Sequence, residues 1–324
     1  MIISRTPFRI SFAGGGTDLG DFYRNNTFGS VVSTAIDKYI YITVSKRFDP
    51  SIRLSYTRTE IVDCAEKIRH PIVRSALKLT GISTGIEITS IADIPASTGL
   101  GSSSSFAVGL LNALYAYKGV YRSASQLAEE ACSIEIDILK EPIGKQDQYA
   151  AAYGGINCIT FHSDESVFVE PLICSRELKE ELNRNLIMFY TGITRSTGSI
   201  LDEQKKNTSA NASALISIRN TASEFKEVIL NCKNLNYIGD MLDRSWKVKK
   251  GLSGRITNSE IDSCYDLALK NGALGGKILG AGGGGFLLFY CEKFNQDKLI
   301  EALKPLRHVP FKFEPHGSAI IFVD

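Results

Sequence analysis

Apolar and polar positions follow two different periods along the chain. Residues 85–90 alternate with a period of two, which predicts a half-buried strand. Residues 39–44, 186–190 and 286–290 are short runs rich in β-branched, aromatic or aliphatic side chains, and these also predict strands. Between residues 199 and 250, by contrast, apolar side chains return at helical spacing within a polar background. The chain therefore predicts strands and helices in both of its halves.

Local signals mark two helices in the first half. An apolar segment, residues 106–117, directly follows a serine-rich stretch and predicts a helix. Ser123 and Gln126 have the spacing of a capping box, so a second helix of about four turns is expected to begin there and to continue to Leu139. Pro142 then ends it, because proline cannot continue a helix.

Strand–helix–strand pieces in both halves predict an α+β fold. A chain of 324 residues is long enough for two domains. We place the division near residues 175–185, which gives an N-terminal domain of residues 1–180 and a C-terminal domain of residues 181–324. The apolar run 319–323 predicts a closing strand, and this division assigns it to the second domain.

Composition narrows the class of protein. The chain carries 37 basic and 35 acidic residues, so it lacks the excess of positive charge typical of nucleic-acid binding. The longest apolar run, residues 106–117, is shorter than the roughly 20 residues that span a bilayer. Seven cysteines are scattered without a CxxC pair, which favours reduced thiols. These features predict a soluble cytoplasmic protein without a nucleic-acid or membrane partner.

The stretch of residues 95–105, Pro-Ala-Ser-Thr-Gly-Leu-Gly-Ser-Ser-Ser-Ser, is the strongest signal of chemistry. Its small residues suit a loop that holds an anion on backbone N–H groups at the start of a helix. The local alternative is a strand-to-helix turn with a serine cap, but a cap needs one serine and four are present. A nucleotide phosphate is the anion that these features favour, so the loop predicts a phosphoryl-transfer enzyme.

A second motif lies in residues 6–18. Its three consecutive glycines, residues 14–16, allow the backbone to approach a ligand closely. Arg9 supplies a fixed cation, and the Asp18 carboxylate could accept hydrogen bonds from sugar hydroxyls. A hairpin turn beside a surface arginine is the alternative for this motif.

Glu135 and Asp147 are candidate catalytic or metal-binding carboxylates. Glu135 falls at helical spacing from the apolar stripe of its predicted helix, which predicts an inward side chain that needs a partner or a metal. The alternative is a residue at the edge of the stripe that reaches solvent. Asp147 follows the break at Pro142, and a loop position there suits a catalytic base, although a helix N-cap is also possible.

The run of residues 280–285 contains the spacing GxGxxG. A dinucleotide-binding loop must open a helix, whereas this run precedes a predicted strand, so that function is rejected. The number of glycines exceeds what a hairpin needs and predicts main chain packed against another loop or a phosphate. GxxxxGK[ST] and GxSxG motifs are absent from the sequence, and its four histidines show no metal-ligand spacing.

Three of these motifs together resemble the GHMP kinases, which include galactokinase, homoserine kinase and mevalonate kinase. They are residues 7–18, 95–105 and 280–286, in the family's order and at its distances. The resemblance covers essentially the whole chain, and the middle motif, P-x-x-x-G-L-G-S-S, is highly specific. It implies a first domain that resembles domain 2 of ribosomal protein S5, a ferredoxin-like second domain, and ATP bound between them.

The resemblance also implies roles for individual residues. Asp147 corresponds to the acid proposed as catalytic base, and Arg9 to the cation proposed to hold that acid ionised and to steady the transferring phosphoryl group. Ser103 and Glu135, which stands 12 residues before Asp147, correspond to the Mg²⁺ ligands. The residues expected to bind ATP are Pro95, Ser97, Thr98, Gly99, Leu100, Gly101, Ser102, Ser103 and Ser104.

One branch of the family is especially similar. Galactokinases have Gly-Glu-His-Thr-Asp-Tyr where this chain has residues 14–19, so glycines replace the Glu and His that would hold the C6 end of a hexose. Residues 13–18, 144–149 and 190–195 resemble the D-glycero-D-manno-heptose 7-phosphate kinases. This branch implies ATP-dependent phosphorylation of the anomeric (C1) hydroxyl of heptose 7-phosphate to the 1,7-bisphosphate, in nucleotide-activated heptose biosynthesis. The expected substrate-binding residues are Gly15, Gly16, Thr17, Asp18, Lys145, Thr191, Arg195, Gly282, Gly283 and Gly284.

Alternatives stay open for the substrate and for catalysis itself. Lys145 and Arg195 would clamp the 7-phosphate, and ordinary surface charge is the alternative for both. L-fucokinase domains carry a related Ala-Gly-Gly-Trp-Thr-Asp, so a free-sugar 1-kinase of the fucokinase or galactokinase type needs no such clamp. A non-catalytic sensor of sugar and ATP is the other alternative, and the presence of Ser103, Glu135 and Asp147 argues against it.

Overall fold

The computed structural model describes residues 1–193, 197–231 and 234–324. Within these residues the strands form two sheets. In chain order the strands are β1 (Ile2–Ala13), β2 (Phe28–Lys46), β3 (Ile52–Ser55), β4 (Thr59–Val62), β5 (Ile86–Ala92), β6 (Ile156–His162), β7 (Val167–Pro171), β8 (Leu186–Tyr190), β9 (Ala273–Ile278), β10 (Phe286–Cys291), β11 (Arg307–His308) and β12 (Ala319–Val323).

Helices cover much of the remaining chain. In chain order, those of the described residues are α1 (Gly20–Tyr23), α2 (Pro71–Thr80), α3 (Ser102–Tyr117), α4 (Ala124–Cys132), α5 (Gln146–Tyr153), α6 (Arg176–Asn185), α7 (Thr197–Lys206), α8 (Ala212–Asn231), α9 (Tyr237–Lys250), α10 (Ser259–Lys270) and α11 (Gln296–Ala302). The helical periodicity predicted between residues 199 and 250 is thus confirmed as α7, α8 and α9.

The first sheet is organised around β2, a strand of 19 residues. β1 lies antiparallel to β2, with Arg9 opposite Ala35. β6 pairs with the first half of β2, and β5 pairs with its second half. The strands predicted at residues 39–44 and 85–90 are confirmed as parts of β2 and β5. This arrangement places Arg9 on a strand that the long β2 supports.

The second sheet has the strand order β11-β8-β10-β9 within the described residues. Its neighbouring strands are antiparallel, and the chain passes through helices between β8 and β9 and between β10 and β11. This β-α-β-β-α-β connection is the ferredoxin-like pattern expected for the second domain. The glycine-rich run 280–285 joins β9 to β10.

The buried apolar residues form two hydrophobic clusters, and the larger one contains residues from both halves of the chain. The Phe12 ring of β1 stacks on the Phe225 ring of α8, with centroids 4.8 Å apart. The closing strand β12 pairs with β1 at residues 2–5 and therefore returns to the first sheet. β8 begins the second sheet at Leu186, and the division near residue 180 stays a prediction.

The helix predicted from the capping box has an unexpected ending. The Ser123 side chain accepts a hydrogen bond from Gln126 N, and the Gln126 side chain accepts one from Ser123 N, which confirms the capping box. α4 ends at Cys132, and Ser133–Ile138 continue it as a π-helix. The wider turn has no signal in the apolar pattern, and wide turns of this kind are frequent at functional sites.

Two global features bear on the sequence-based expectations. In the ranges that the structure describes, none of the helices has both the length and the apolar character needed to cross a bilayer. The cysteines of those ranges are free thiols, at positions 64, 132, 158, 174, 264 and 291.

Candidate active site

A buried ion pair joins β1 to the start of α5. Arg9 is 4% exposed, and its Nε and Nη2 donate hydrogen bonds of 2.7 and 2.8 Å to the two carboxylate oxygens of Asp147. Asp147 is 23% exposed and lies in the first turn of α5, whose N-cap is Lys145. It is therefore neither on a loop nor an N-cap, because the helix already begins before it. The bidentate contact fixes the carboxylate and leaves part of it accessible.

The backbone of residues 95–101 lies beside this ion pair. Arg9 Nη1 donates a 2.6 Å hydrogen bond to the Gly99 carbonyl, and Arg9 N donates one of 3.1 Å to the Leu100 carbonyl. Gly99 and Gly101 have φ angles of +86° and +75°, and Gly101 is the N-cap of α3. The first backbone N–H groups of a helix have no partner within it, so they are available to an anion.

The other residues of this loop are either anchored or exposed. Thr98 and Leu100 are buried, and the Thr98 hydroxyl donates to the Pro95 carbonyl at 3.0 Å. Pro95 and Ser97 are exposed, and Ser102, the first residue of α3, is half-buried. One side of the loop is therefore packed against the protein, and the other side is accessible to solvent and to a ligand such as a nucleotide.

The serines at the start of α3 make different contacts. Ser105 donates to the Pro7 carbonyl at 2.9 Å, and Ser104 is buried. Ser103 is exposed, and its hydroxyl donates to Glu135 Oε1 at 2.7 Å. Packing thus accounts for some of the serines, while Ser103 presents a hydroxyl beside a carboxylate.

Glu135 is a deeply buried carboxylate. It is 1% exposed, which confirms the inward side chain expected from helical spacing. Gln148 Nε2 donates to its Oε2 at 2.7 Å. Burial raises the pKa of Glu135, and hydrogen bonds from Ser103, Ser104 and Gln148 oppose the rise. The charge on Glu135 is therefore costly until a cation neutralises it.

The donor atoms at Ser103 and Glu135 fit Mg²⁺. In the part of the chain that the structure describes, no group of three or more His, Cys, Asp or Glu side chains is arranged to hold a metal ion. Mg²⁺ usually takes one or two carboxylates together with substrate phosphates, rather than a complete protein cage. Residues 95–101 form the loop predicted to hold phosphates, called the phosphate loop below, and a carboxylate and a hydroxyl at its edge satisfy that requirement.

Glu135→Gln is expected to stabilise the ligand-free protein and to weaken its use of Mg²⁺·ATP. A glutamine amide can accept from Gln148 and donate to Ser103 Oγ, so both contacts survive without the buried charge. The raised pKa of Glu135 determines the direction in which stability changes with pH. The stability that wild-type Glu135 contributes is present below the usual pKa of 4.5 and is lost as the pH rises through its folded value.

Thermal unfolding of wild type and Glu135→Gln at several pH values measures this effect. The variant should melt a few degrees higher at neutral pH, and the difference should shrink as the pH falls. A difference that grows towards acidic pH would contradict a charged, buried Glu135. An unchanged dependence of turnover on Mg²⁺ concentration would contradict its role as a ligand.

The turn after β1 forms one wall of a pocket. Asp18 is buried and accepts hydrogen bonds from Gly16 N at 2.9 Å and from Gln146 N and Nε2 at 3.2 and 3.1 Å. Burial raises the pKa of Asp18, the charge of Asp147 raises it further, and the backbone hydrogen bonds oppose the rise. Asp18, Gly15, Gly16 and Asp147 all line the pocket. Two carboxylates thus face one cavity, which suits an acceptor rich in hydroxyl groups.

Two buried lysines also line the pocket, and the motifs indicate neither of them. Lys249 Nζ, in the last turn of α9, donates to the Gly280 carbonyl. Lys277 Nζ, on β9, donates to the Phe12 carbonyl at 3.0 Å. Lys249 stands in a lysine-rich helix end, a pattern typical of a solvated face. Lys277 interrupts an otherwise apolar strand, and that is the one signal that could have indicated its burial.

The glycine-rich run 280–285 packs its backbone against the phosphate loop. A Cβ on Gly280 would lie 2.5 Å from Gly99 Cα, and one on Gly285 would lie 2.2 Å from the Thr98 carbonyl oxygen. Side chains are therefore excluded at both positions. This close approach confirms the expectation that the excess of glycines places main chain against another loop.

The sequence predicts that Gly282, Gly283 and Gly284 bind the substrate. In the structure they pack against other parts of the protein. A Cβ on Gly282 would lie 2.8 Å from the Ile256 carbonyl oxygen, and Gly283 N donates to that carbonyl at 2.7 Å. A Cβ on Gly284 would lie 2.4 Å from the Ile193 carbonyl oxygen. None of these glycines is among the described residues that line the pocket.

Thr17 and Thr191 are also predicted to bind the substrate. In the structure their hydroxyls donate hydrogen bonds to the backbone instead. The Thr17 hydroxyl donates to the carbonyls of Gly14 and Ser30 at 2.8 and 3.0 Å. The Thr191 hydroxyl donates to the Gly285 carbonyl at 3.0 Å. Both hydroxyls are thus engaged by main chain, and neither residue lines the pocket within the described chain.

Lys145, one of the two expected phosphate clamps, is not among the described residues that line the pocket. Lys145 Nζ forms an ion pair with Glu165 Oε2 at 2.6 Å and lies 5.3 Å from the centre of the Tyr23 ring. The structure thus pairs the Lys145 ammonium with a carboxylate. Arg195 lies outside the described residues.

Comparison with known proteins places the chain in a family. The family models described as GHMP kinases N terminal domain and GHMP kinases C terminal match residues 61–155 and 222–306. The D-glycero-alpha-D-manno-heptose 7-phosphate kinase of Campylobacter jejuni subsp. jejuni serotype O:2 is 31% identical over 320 residues, which covers 94% of this chain and 93% of that protein. The chain belongs to the GHMP kinases.

Two further proteins resemble the chain in fold or in part of their sequence. The crystal structure of a D-glycero-D-manno-heptose 1-phosphate kinase from Bacteroides thetaiotaomicron has a TM-score of 0.83, with 23% identity and 100% of both chains covered, and it shows the same two-domain α+β fold. The L-fucokinase/L-fucose-1-P guanylyltransferase of Bacteroides fragilis is 28% identical over 90% of this chain but only 35% of that longer protein. The similarity to the Campylobacter jejuni kinase over nearly the whole of both chains makes the protein a phosphotransferase that acts on sugar hydroxyls, a sugar kinase of the heptose type.

Proposed function

We propose that the protein transfers the γ-phosphoryl group of ATP to the C1 hydroxyl of D-glycero-D-manno-heptose 7-phosphate. The observation that carries the transfer step is the geometry of Asp147. Its carboxylate faces the pocket and is clamped by Arg9, which also contacts the phosphate loop through the Gly99 carbonyl. The similarity to the Campylobacter jejuni enzyme over 94% of the chain supports the choice of acceptor. The 1,7-bisphosphate product would serve nucleotide-activated heptose biosynthesis.

The proposed reaction assigns a proton acceptor and a positioning group. Asp147 accepts the proton of the C1 hydroxyl as the C1 oxygen bonds to the γ-phosphorus. The bond from that phosphorus to the β–γ bridging oxygen breaks, and ADP leaves with the electron pair. Asp18, which is held by Gly16 N and by Gln146, would orient the ring through its hydroxyls.

The nucleotide would be held by main chain and by a metal ion. Residues 95–101 and the start of α3 would bind the phosphates of ATP, which is the family's phosphoryl donor. Ser103 and Glu135 would hold Mg²⁺, which neutralises phosphate charge when bound. We place the reaction in the cytoplasm, where thiols stay reduced.

A free-sugar 1-kinase is the second candidate function. The similarity to the Bacteroides fragilis protein, which spans 90% of this chain, favours L-fucose as its acceptor. Two lysines argue for a phosphorylated acceptor instead, because Lys249 and Lys277 line the pocket without forming an ion pair in the described part of the chain.

ADP release with Mg²⁺·ATP tests the proposal across a panel of acceptors. The panel contains heptose 7-phosphate, mannose 6-phosphate, free heptose, L-fucose and galactose. Clear selectivity for heptose 7-phosphate is the expected result. Preference for a free sugar would assign the protein to the fucokinase or galactokinase type, and no turnover with any acceptor would favour a non-catalytic sensor.

A further inference from the structure

We propose that Lys249, Lys277 and Ser11 form a phosphate-binding subsite in the wall of the acceptor pocket. The three residues come from α9, β9 and β1, and all of them line the pocket. The ligand is a phosphate monoester dianion. The nature of the sugar that carries it rests on the proposed function, whereas the binding of phosphate does not.

The two ammonium groups are buried and retain donors for a ligand. Each makes one hydrogen bond to protein in the described chain, from Lys249 to the Gly280 carbonyl and from Lys277 to the Phe12 carbonyl. An ammonium has three N–H donors, so two remain on each lysine. Donors in a buried pocket are costly unless they are satisfied, and phosphate oxygens would satisfy them.

The charges around the pocket are unbalanced in favour of an anion. Arg9, Lys249 and Lys277 line it as cations, and Asp18 and Asp147 line it as carboxylates. Asp147 is already paired with Arg9. Among the described ion pairs none joins either lysine to a carboxylate. Within the described residues, the charged forms of both lysines therefore have no carboxylate in direct contact, and Asp18 and Asp147 act on Lys249 only from a greater distance.

Ser11 is an independent sign of a ligand at this place. Its side chain is 6% exposed and lines the pocket, and its buried hydroxyl has no hydrogen-bond partner within the described residues. Buried hydroxyls are normally paired, so an unpaired one in a pocket wall marks a position for a ligand atom. A serine hydroxyl is a common donor to phosphate oxygens.

The lowered pKa values of the two lysines mean that their charged forms are costly unless an anion lies beside them. Burial lowers the pKa of Lys249 to about 8, and the charge of Arg9 lowers it further. Burial also lowers the pKa of Lys277 well below its usual range, and the charges of Lys249 and Arg9 add to the effect. A dianion among these groups would favour their charged forms.

Two phosphoryl groups could occupy the subsite during a reaction. One is the phosphate that the acceptor already carries, and the other is the group in transfer to it. Both present the same oxygen atoms to Lys249, Lys277 and Ser11, so the experiment has one arm that measures phosphate binding and one that distinguishes the two sources.

The binding arm uses inorganic phosphate and requires no turnover. Calorimetric titration with phosphate, at saturating ADP and Mg²⁺, compares wild type with Lys249→Met, Lys277→Met and Ser11→Ala. Lys247→Met is the matched control, because Lys247 also lies on α9 but is an exposed residue paired with Asp243. We expect affinity about 10- to 100-fold weaker for the lysine variants and about threefold or more weaker for Ser11→Ala.

An unchanged phosphate affinity in folded variants would overturn the subsite. Thermal unfolding identifies variants that are folded, and Ser11→Ala, which changes only one hydroxyl, keeps the test decisive if a lysine variant is unstable. Weak binding that is equal in all the proteins, control included, would also overturn it. Because this arm needs no reaction, its result is independent of whether heptose 7-phosphate is the acceptor.

The kinetic arm compares heptose 7-phosphate with free heptose. If the acceptor's own phosphate occupies the subsite, kcat/KM of Lys249→Met should fall about 10- to 100-fold with heptose 7-phosphate and little with free heptose. An equal fall with both acceptors, seen in kcat, would assign the subsite to the group in transfer. No fall with either acceptor would contradict a phosphate subsite in the reaction.

Discussion

Asp147→Asn should lower kcat by about two to four orders of magnitude while the affinity for ATP is retained. The substitution keeps the shape of the side chain, but its amide nitrogen cannot accept a hydrogen bond from Arg9 or a proton from the acceptor. Arg9 donates to both carboxylate oxygens in the structure, so one of its two contacts is lost as well. The phosphate loop is not altered directly, because its contact with Arg9 runs through the Gly99 carbonyl.

Single-turnover kinetics and nucleotide titration of this variant separate the two effects. Asp137→Asn is a suitable control, because Asp137 is exposed and lies on the helical segment that carries Glu135. The control should retain wild-type turnover. Full activity of Asp147→Asn would remove Asp147 from the mechanism, and a large loss of ATP affinity would mean that the residue acts on the nucleotide instead.

Gly280→Ala should abolish most of the activity and lower the melting temperature by several degrees. The φ angle of Gly280 is +69°, a conformation that costs a residue with a Cβ about 1–2 kcal/mol. The added carbon would also lie 2.5 Å from Gly99 Cα, so the two loops would have to separate. Separation would displace the Gly280 carbonyl that Lys249 contacts and the Gly99 carbonyl that Arg9 contacts.

Gly254→Ala provides the matched control for this substitution. Gly254 also lies in the second half of the chain, and an added Cβ there would meet nothing within 4 Å. Its melting temperature and turnover should stay close to those of wild type. Equal behaviour of the two variants would contradict the close packing of the glycine-rich run on the phosphate loop.

Some parts of the site are formed by one short segment of the chain, and local patterns in the sequence predict these parts. The phosphate loop, the capping box of α4 and the inward Glu135 are such cases, because small residues, a three-residue spacing and helical periodicity act over a few residues. The glycine-rich run also belongs here. Its excess of glycines predicts a close backbone contact, and the structure adds that the partners are residues 98–99, Ile193 and Ile256.

Features that depend on distant residues have no such pattern. Lys249 lies in a lysine-rich helix end that is typical of solvated surface, and only the packing of α9 buries it. Lys145 is expected beside a phosphate, but Glu165, 20 residues further along the chain, pairs with it. β12 has the composition of an ordinary strand, and its return to β1 depends on pairing between the two ends of the chain. The π-helical turn before Leu139 is likewise invisible in the apolar spacing.

The position of the new phosphate is the most direct test of phosphoryl transfer to the C1 hydroxyl. Phosphorus NMR with proton correlation of the product from heptose 7-phosphate and Mg²⁺·ATP identifies the oxygen that accepts the phosphoryl group. Transfer to C1 gives a second phosphate coupled to the anomeric proton, formed together with one ADP per acceptor. A new phosphate on any other carbon would contradict a sugar 1-kinase. Hydrolysis of ATP to ADP and inorganic phosphate, with no phosphorylated product, would also contradict it.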